Sequence, residues 1–266
     1  MLTPSCAAGS LAQGNALPGP GGRWHLFVAA MVNGCGMEAW TSNSEVVHAI
    51  ATRPEGPYRR FATALPLWAH GPQVARGPDP AADAASPTPT HWYLFHDGAG
   101  SGDPSSLHRA RNCSHHDSSG HTADAEHRDQ SIEGSTRGNL IHVAPTPSGP
   151  WRSAGRLANC SDPAPLWHDG AWWVVCHSPP QPGAHGCKLF GHRCTTLQTA
   201  PSAAGPWRTV LRFPANPPGT GVWEDPFVWI DPASGAWHVI MHACKPFRSL
   251  IALGLGLWSD ATHTNG

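Results

Sequence analysis

ATRPEGPYR at 51–59, APTPSGPWR at 144–152 and APSAAGPWR at 200–208 are three copies of one motif. Each is followed, 13 to 20 residues after its Gly-Pro, by a second proline inside an apolar run: HGPQV (70–74), SDPAPLW (161–167) and WEDPFVW (223–229). An aromatic strand comes next in every copy, HWYLFH (91–96), WWVVCH (172–177) and WHVIMH (237–242). WHLFVA (24–29) reads as the same strand with nothing clear in front of it. A fixed order of motifs over four copies is the signature of a radial repeat, and for strands of this length that means a β-propeller.

Composition points the same way. Gly 29, Pro 28 and Trp 13 in 266 residues, with 13% charged residues, describe short strands joined by tight turns around large aromatic plugs. No window keeps apolar residues at helical spacing for three turns, and prolines interrupt nearly every stretch long enough to try. The length suits one large domain, so residues 1–266 read as a single propeller. Its clear repeats run from 21 to 245, with a flexible insert at 97–137 and an uncertain terminal segment at 246–266.

A net charge of -1 provides no field to gather nucleic acid or an anionic membrane, and the arginines are scattered rather than striped. The first thirty residues lack a basic start followed by a continuous apolar stretch. The apolar run at 250–258 is too short to span a bilayer. The expectation is a monomer with neither nucleic acid nor membrane as partner.

The eight cysteines contain no C-x-x-C pair and so no zinc pattern. Cys176 and Cys244 read as small buried hydrophobes, and Cys187 and Cys194 as candidates for a small disulfide. Asn112 and Asn159 each begin an Asn-Cys-Ser sequon. A glycan on Asn159 would crowd Asp162, which argues against its use. Five histidines lie in the insert at 97–137, yet their spacing fits no helix or hairpin, and the Ser, Gly and Asp around them are those of a solvated loop.

In a propeller blade the first strand lies beside the axis and the chain zigzags outward. The proline-containing runs are assigned here to the innermost strand, the aromatic motifs to the second, and EVVHAIAT and NLIHVAPT to the third. Strand-one starts and strand-two ends then open on one face. That face collects Gly71, Asp162 and Asp225 before the prolines, their neighbours His70, Ser161 and Glu224, and the strand-two ends His96, His177 and His242. The long connections at 30–44, 97–137 and 178–193 all leave the same face, where propellers carry function. Asp162 and Glu224 are acids within otherwise apolar inner strands, where a charge is costly unless used or paired. Asp169 and Asp231 fit simple turn capping better.

On these motifs the chain resembles the five-bladed β-propeller glycosidases, in particular glycoside hydrolase family 43 and its arabinanase and xylosidase relatives. The resemblance implies an all-β five-bladed propeller of which four blades are readable, incomplete at one or both termini. It makes Glu224 the general acid and Asp162 the residue that orients and tunes it. It also implies carbohydrate as the partner, a plant- or algal-type polysaccharide or oligosaccharide as ligand, and a secretory location. No cofactor is implied beyond a structural calcium at the axis. Substrate-binding roles fall to Trp223, His70, His177, His242, His96 and Asp225, with Trp40, Trp68, Trp167 and Trp229 as further stacking candidates.

One part of the pattern is missing. The family's general base is an Asp on the first blade's inner strand, and no Asp precedes Asp79 in this chain. An inverting glycosidase needs a second carboxylate roughly 6.5–9.5 Å from the acid to activate water. Three explanations stand: a base in sequence upstream of Met1, substitution by Glu38, or a propeller that binds glycans without cleaving them. A protein-interaction propeller of the WD or kelch type is the remaining alternative, disfavoured by the uneven repeat period and the recurring inner-strand acids.

Overall fold

The computed structural model describes residues 11–81, 88–98, 139–157, 160–178, 194–213, 222–244 and 250–255. They form four antiparallel sheets, each a meander running outward from one inner strand. The first comprises β1 (Leu11–Pro18), β2 (Trp24–Met31), β3 (Ser44–Ala51) and β4 (Arg59–Leu65). The second comprises β5 (His70–Gly77), β6 (His91–Asp97), β7 (Asn139–Ala144) and β8 (Arg152–Leu157). The third comprises β9 (Ser161–His168), β10 (Ala171–Ser178), β11 (Cys194–Ala200) and β12 (Arg208–Arg212). The fourth comprises β13 (Val222–Ile230), β14 (Trp237–Cys244) and β15 (Leu250–Leu255). Inner strands β1, β5, β9 and β13 contact one another in that order around the axis. Among the described residues no helix is long and apolar enough to cross a membrane.

The blades have the assigned strand roles, with one correction. WHLFVA does have an inner partner: β1 pairs with β2 from Leu11↔Ala30 to Pro18↔Trp24. Its sequence, LAQGNALP, lacks the internal proline that HGPQV, SDPAPLW and WEDPFVW share, so it does not resemble its three counterparts.

Alternation along the second strands builds three inter-blade cores. Trp92 and Leu94 face the first blade, packing with Phe27, Val46 and Val74. Tyr93 and Phe95 face the third, against Trp172, Val174 and Leu157. Trp173 and Val175 face the fourth, with Val228, Val239 and Met241. Period-two alternation on a strand buried on both faces therefore supplies a plug to each neighbour.

The repeated Gly-Pro motifs are the turns between third and fourth strands. Gly56, Gly149 and Gly205 sit at φ 87°, 90° and 92°, left-handed values that glycine tolerates without a Cβ clash. The tryptophan after the second and third turns reaches back to the preceding blade. Trp151 meets Phe27 edge-on at 5.6 Å, and Trp207 meets Phe95 at 6.4 Å. The motif is thus a staple between neighbouring blades.

Cys176 is not a simple buried hydrophobe. It forms a disulfide with Cys160, with Cα atoms 5.5 Å apart, joining the chain just before β9 to β10. Cys35 is disulfide-bonded as well. Cys187, Asn112, Asn159, most of the insert at 97–137 and the side chains of Cys194 and Cys244 lie outside the described residues.

Candidate functional site

All four inner strands break register at one level. The irregularities lie between Ala12 and Gly14, between His70 and Gln73, opposite the Val175/His177 step, and between Glu224 and Phe227. At each break one residue adopts a left-handed backbone: Gln13 at φ 44°, Gly71 at 57°, Asp162 at 50° and Asp225 at 51°. Asp and Gly enter this region more readily than most residues, and a bulge re-aims the side chain it carries. The ring of four bulges opens on an axial depression of about 290 Å³, lined by Gln13, Asp162 and Asp225 with Asn15, Gln73 and Phe227.

Within the depression the Gln13 amide lies between two acids. Its Nε2 donates to Asp225 Oδ1 and faces Asp162 Oδ1 at 3.5 Å. Gly71 makes room for it, since a Cβ there would come within 2.5 Å of Gln13 Oε1. The Asp162 bulge is held from behind, where its backbone N–H donates to Asp97 Oδ2 at 3.2 Å. Asn15 ties β1 to β5 below the bulge: its Nδ2 donates to the Val74 carbonyl and its Oδ1 accepts the Val74 N–H, both at 2.8 Å.

The expected site residues divide accordingly. Asp162 and Asp225 share the depression. Glu224 directly precedes Asp225 and its backbone pairs with His242 on β14, but the side chains of Trp223, Glu224 and His242 lie outside the described part of the structure, as does that of Glu38.

Three histidines expected on the open face are buried instead. His70 pairs its Nδ1 with Ser44 Oγ at 2.8 Å and packs against Trp40. Burial pushes its pKa down to about 4 despite the opposing pull of Asp162, so it is neutral at pH 7. His96 is fully buried, with Nδ1 on the Asp97 carbonyl at 2.9 Å and Nε2 on His142 Nδ1 at 3.1 Å. His177, on β10 opposite Ser161, is also buried. None of these three histidines is among the residues that line the depression.

Among the tryptophans, Trp40 and Trp68 lie together beside His70, the Trp68 Nε1 donating to the Trp40 carbonyl at 2.7 Å. Trp167 packs on Trp172, and Trp229 stacks on His238.

Four of the lining residues, Gln13, Asn15, Gln73 and Phe227, were not singled out in the sequence. Gln13 lacks the following proline and the charge that mark its counterparts. Phe227, within the apolar run WEDPFVW, is 43% exposed and lines the depression. Among the described residues no three His, Cys, Asp or Glu side chains converge to hold a metal ion. The calcium allowed by the resemblance therefore finds no such donor set there.

No protein-family model matches the chain, and no curated protein matches it. Solved structures do. A family 117 glycoside hydrolase from the marine bacterium Zobellia galactanivorans superposes with a TM-score of 0.57 at 11% identity, covering 96% of this chain and 69% of that one. A family 43 enzyme (GH43_1) from Xanthomonas citri gives 0.51 at 12% identity, covering 92% and 74%. The exo-β-1,3-galactanase of Phanerochaete chrysosporium, solved with β-1,3-galactotriose, gives 0.51 at 13% identity over 88% of this chain. This chain spans 42% of that galactanase's length. The fold is that of the five-bladed β-propeller glycosidases, and the described residues supply four of its blades.

Proposed function

We propose that this chain is a glycoside hydrolase-like propeller that binds a plant- or algal-type oligosaccharide in its axial depression and cleaves it poorly or not at all. The observation that carries this reading is Gln13. On the first blade's inner strand it occupies the bulge held by Asp162 and Asp225 on the third and fourth. An amide there cannot take a proton from water, whereas the inverting mechanism needs a carboxylate to do so. Glu224 keeps the role of general acid and Asp162 that of its orienting partner. If hydrolysis occurs, its base comes from elsewhere, with Glu38 the first residue to test.

The depression suits a sugar. Asp162 and Asp225 accept hydrogen bonds from hydroxyls, and Phe227 offers an apolar face for ring C–H groups, with Trp223 as a second candidate wall. Galactose- and pentose-based oligosaccharides are the first ligands to try, β-1,3-galactotriose among them. The disulfides suit an oxidising compartment, which supports a secretory-pathway location.

A glycan array probed with the folded protein tests this reading. The expected result is binding to a defined set of oligosaccharides, weakened about tenfold or more in Asp162→Ala. No binding across a broad panel would leave the likeness purely architectural and move the protein-interaction reading to first place.

A further inference from the structure

We propose that Gln13 is a specificity-determining latch: its side-chain amide sits between Asp162 and Asp225 in place of a ligand, and only a group that donates hydrogen bonds to both carboxylates displaces it. Three observations converge. The left-handed bulge of β1 turns Gln13 into the depression at the level of both acids. One amide nitrogen serves both carboxylates, donating to Asp225 Oδ1 and lying 3.5 Å from Asp162 Oδ1. The third concerns the other end of the amide, because Oε1 is buried over Gly71 without a hydrogen-bond partner.

A buried carbonyl oxygen without a partner is costly, so the latched state is held by the nitrogen alone. Turning the amide over would set its oxygen against two carboxylates, which forbids the alternative orientation. Gly71 is the parking space that permits the arrangement, being the one position of the four-bulge ring without a side chain. A ligand bearing two suitably spaced hydroxyls replaces both N–H contacts and lets the amide swing out, where Oε1 regains a donor from water or ligand. A single hydroxyl replaces one contact and leaves the latch in place. The latch thus selects for paired donors, as on a sugar ring.

The ligand half of this inference rests on the carbohydrate reading, and the test separates the two. In the free protein, NMR of the Gln13 side-chain amide should show hydrogen-bonded, slowly exchanging protons. Gly71→Ala, whose methyl invades the parking space, should abolish that signature. Calorimetry with β-1,3-galactotriose should then show Gln13→Ala and Gly71→Ala each binding about three- to tenfold more tightly than the unaltered chain, with the double variant no tighter than either. A Gln13 amide exchanging as freely as an exposed glutamine would overturn the latch whether or not any sugar binds. So would weaker galactotriose binding by Gln13→Ala in a chain whose melting temperature is unchanged.

Discussion

Asp162 combines two demands at one position. Its backbone takes the left-handed turn of the bulge, anchored through its N–H to Asp97, while its carboxylate faces the axis beside Gln13. Asp meets both because its short side chain tolerates positive φ and carries the acceptor. Asp162→Asn should preserve the bulge and weaken glycan binding moderately. Asp162→Ala should cost about 1.5–3 kcal/mol of binding, the range for a hydrogen bond to a charged group. Phe227→Ala should cost about 1–2 kcal/mol through loss of the apolar platform, with little change in melting temperature because the ring is half exposed. Equal affinity in both alanine variants would remove the axial depression as the binding site. Asp162 and Asp225 were legible in the sequence because an acid before proline in an apolar strand has few structural uses. Gln13 was not, because a neutral amide before glycine carries no such signal and only the register break against β2 exposes its equivalence.

At the level of strands, the first two blades share a device, and of its four histidines sequence reasoning assigned one, His96, to the ligand. His25 on β2 and His48 on β3 stack at 5.1 Å with ring nitrogens 2.8 Å apart. His96 on β6 and His142 on β7 also stack at 5.1 Å, with nitrogens 3.1 Å apart. Each pair shares one proton between facing nitrogens, and a second proton would set two donors against each other in a buried sheet. Burial accordingly lowers His48 and His142 to about 4 and His96 to about 3, and holds His25 below its usual value. The folded state thus prefers the neutral rings, while the unfolded chain takes up protons near the ordinary histidine value of 6.5. Stability should be complete above that value and fall as pH drops from about 6.5 toward 4. Calorimetric melting at half-unit pH intervals checks this, and a melting temperature flat across that window would contradict it. The motif HWYLFH showed a strand ending in histidine, but whether that histidine faces a site or a neighbouring strand depends on its diagonal partner 46 residues away.

For the whole molecule, the order of blades and, β1 excepted, the roles of the first three strands were readable from motif spacing, because inter-blade cores demand aromatic residues at fixed positions. The outermost strands were not, since RRFATAL, RSAGRL and RTVLR bury little and carry no constraint beyond pairing. The central claim concerns what the assembled axis does: a propeller of glycosidase fold whose first-blade bulge carries an amide should hold a sugar and leave it intact. The direct measurement is calorimetric titration of the unaltered chain with galactose- and pentose-based oligosaccharides, followed by assay of the same samples for newly released reducing ends. Saturable heat with no release above background is the result predicted. Robust release abolished by Glu224→Gln would contradict it, because a working base would then have to exist beside Gln13.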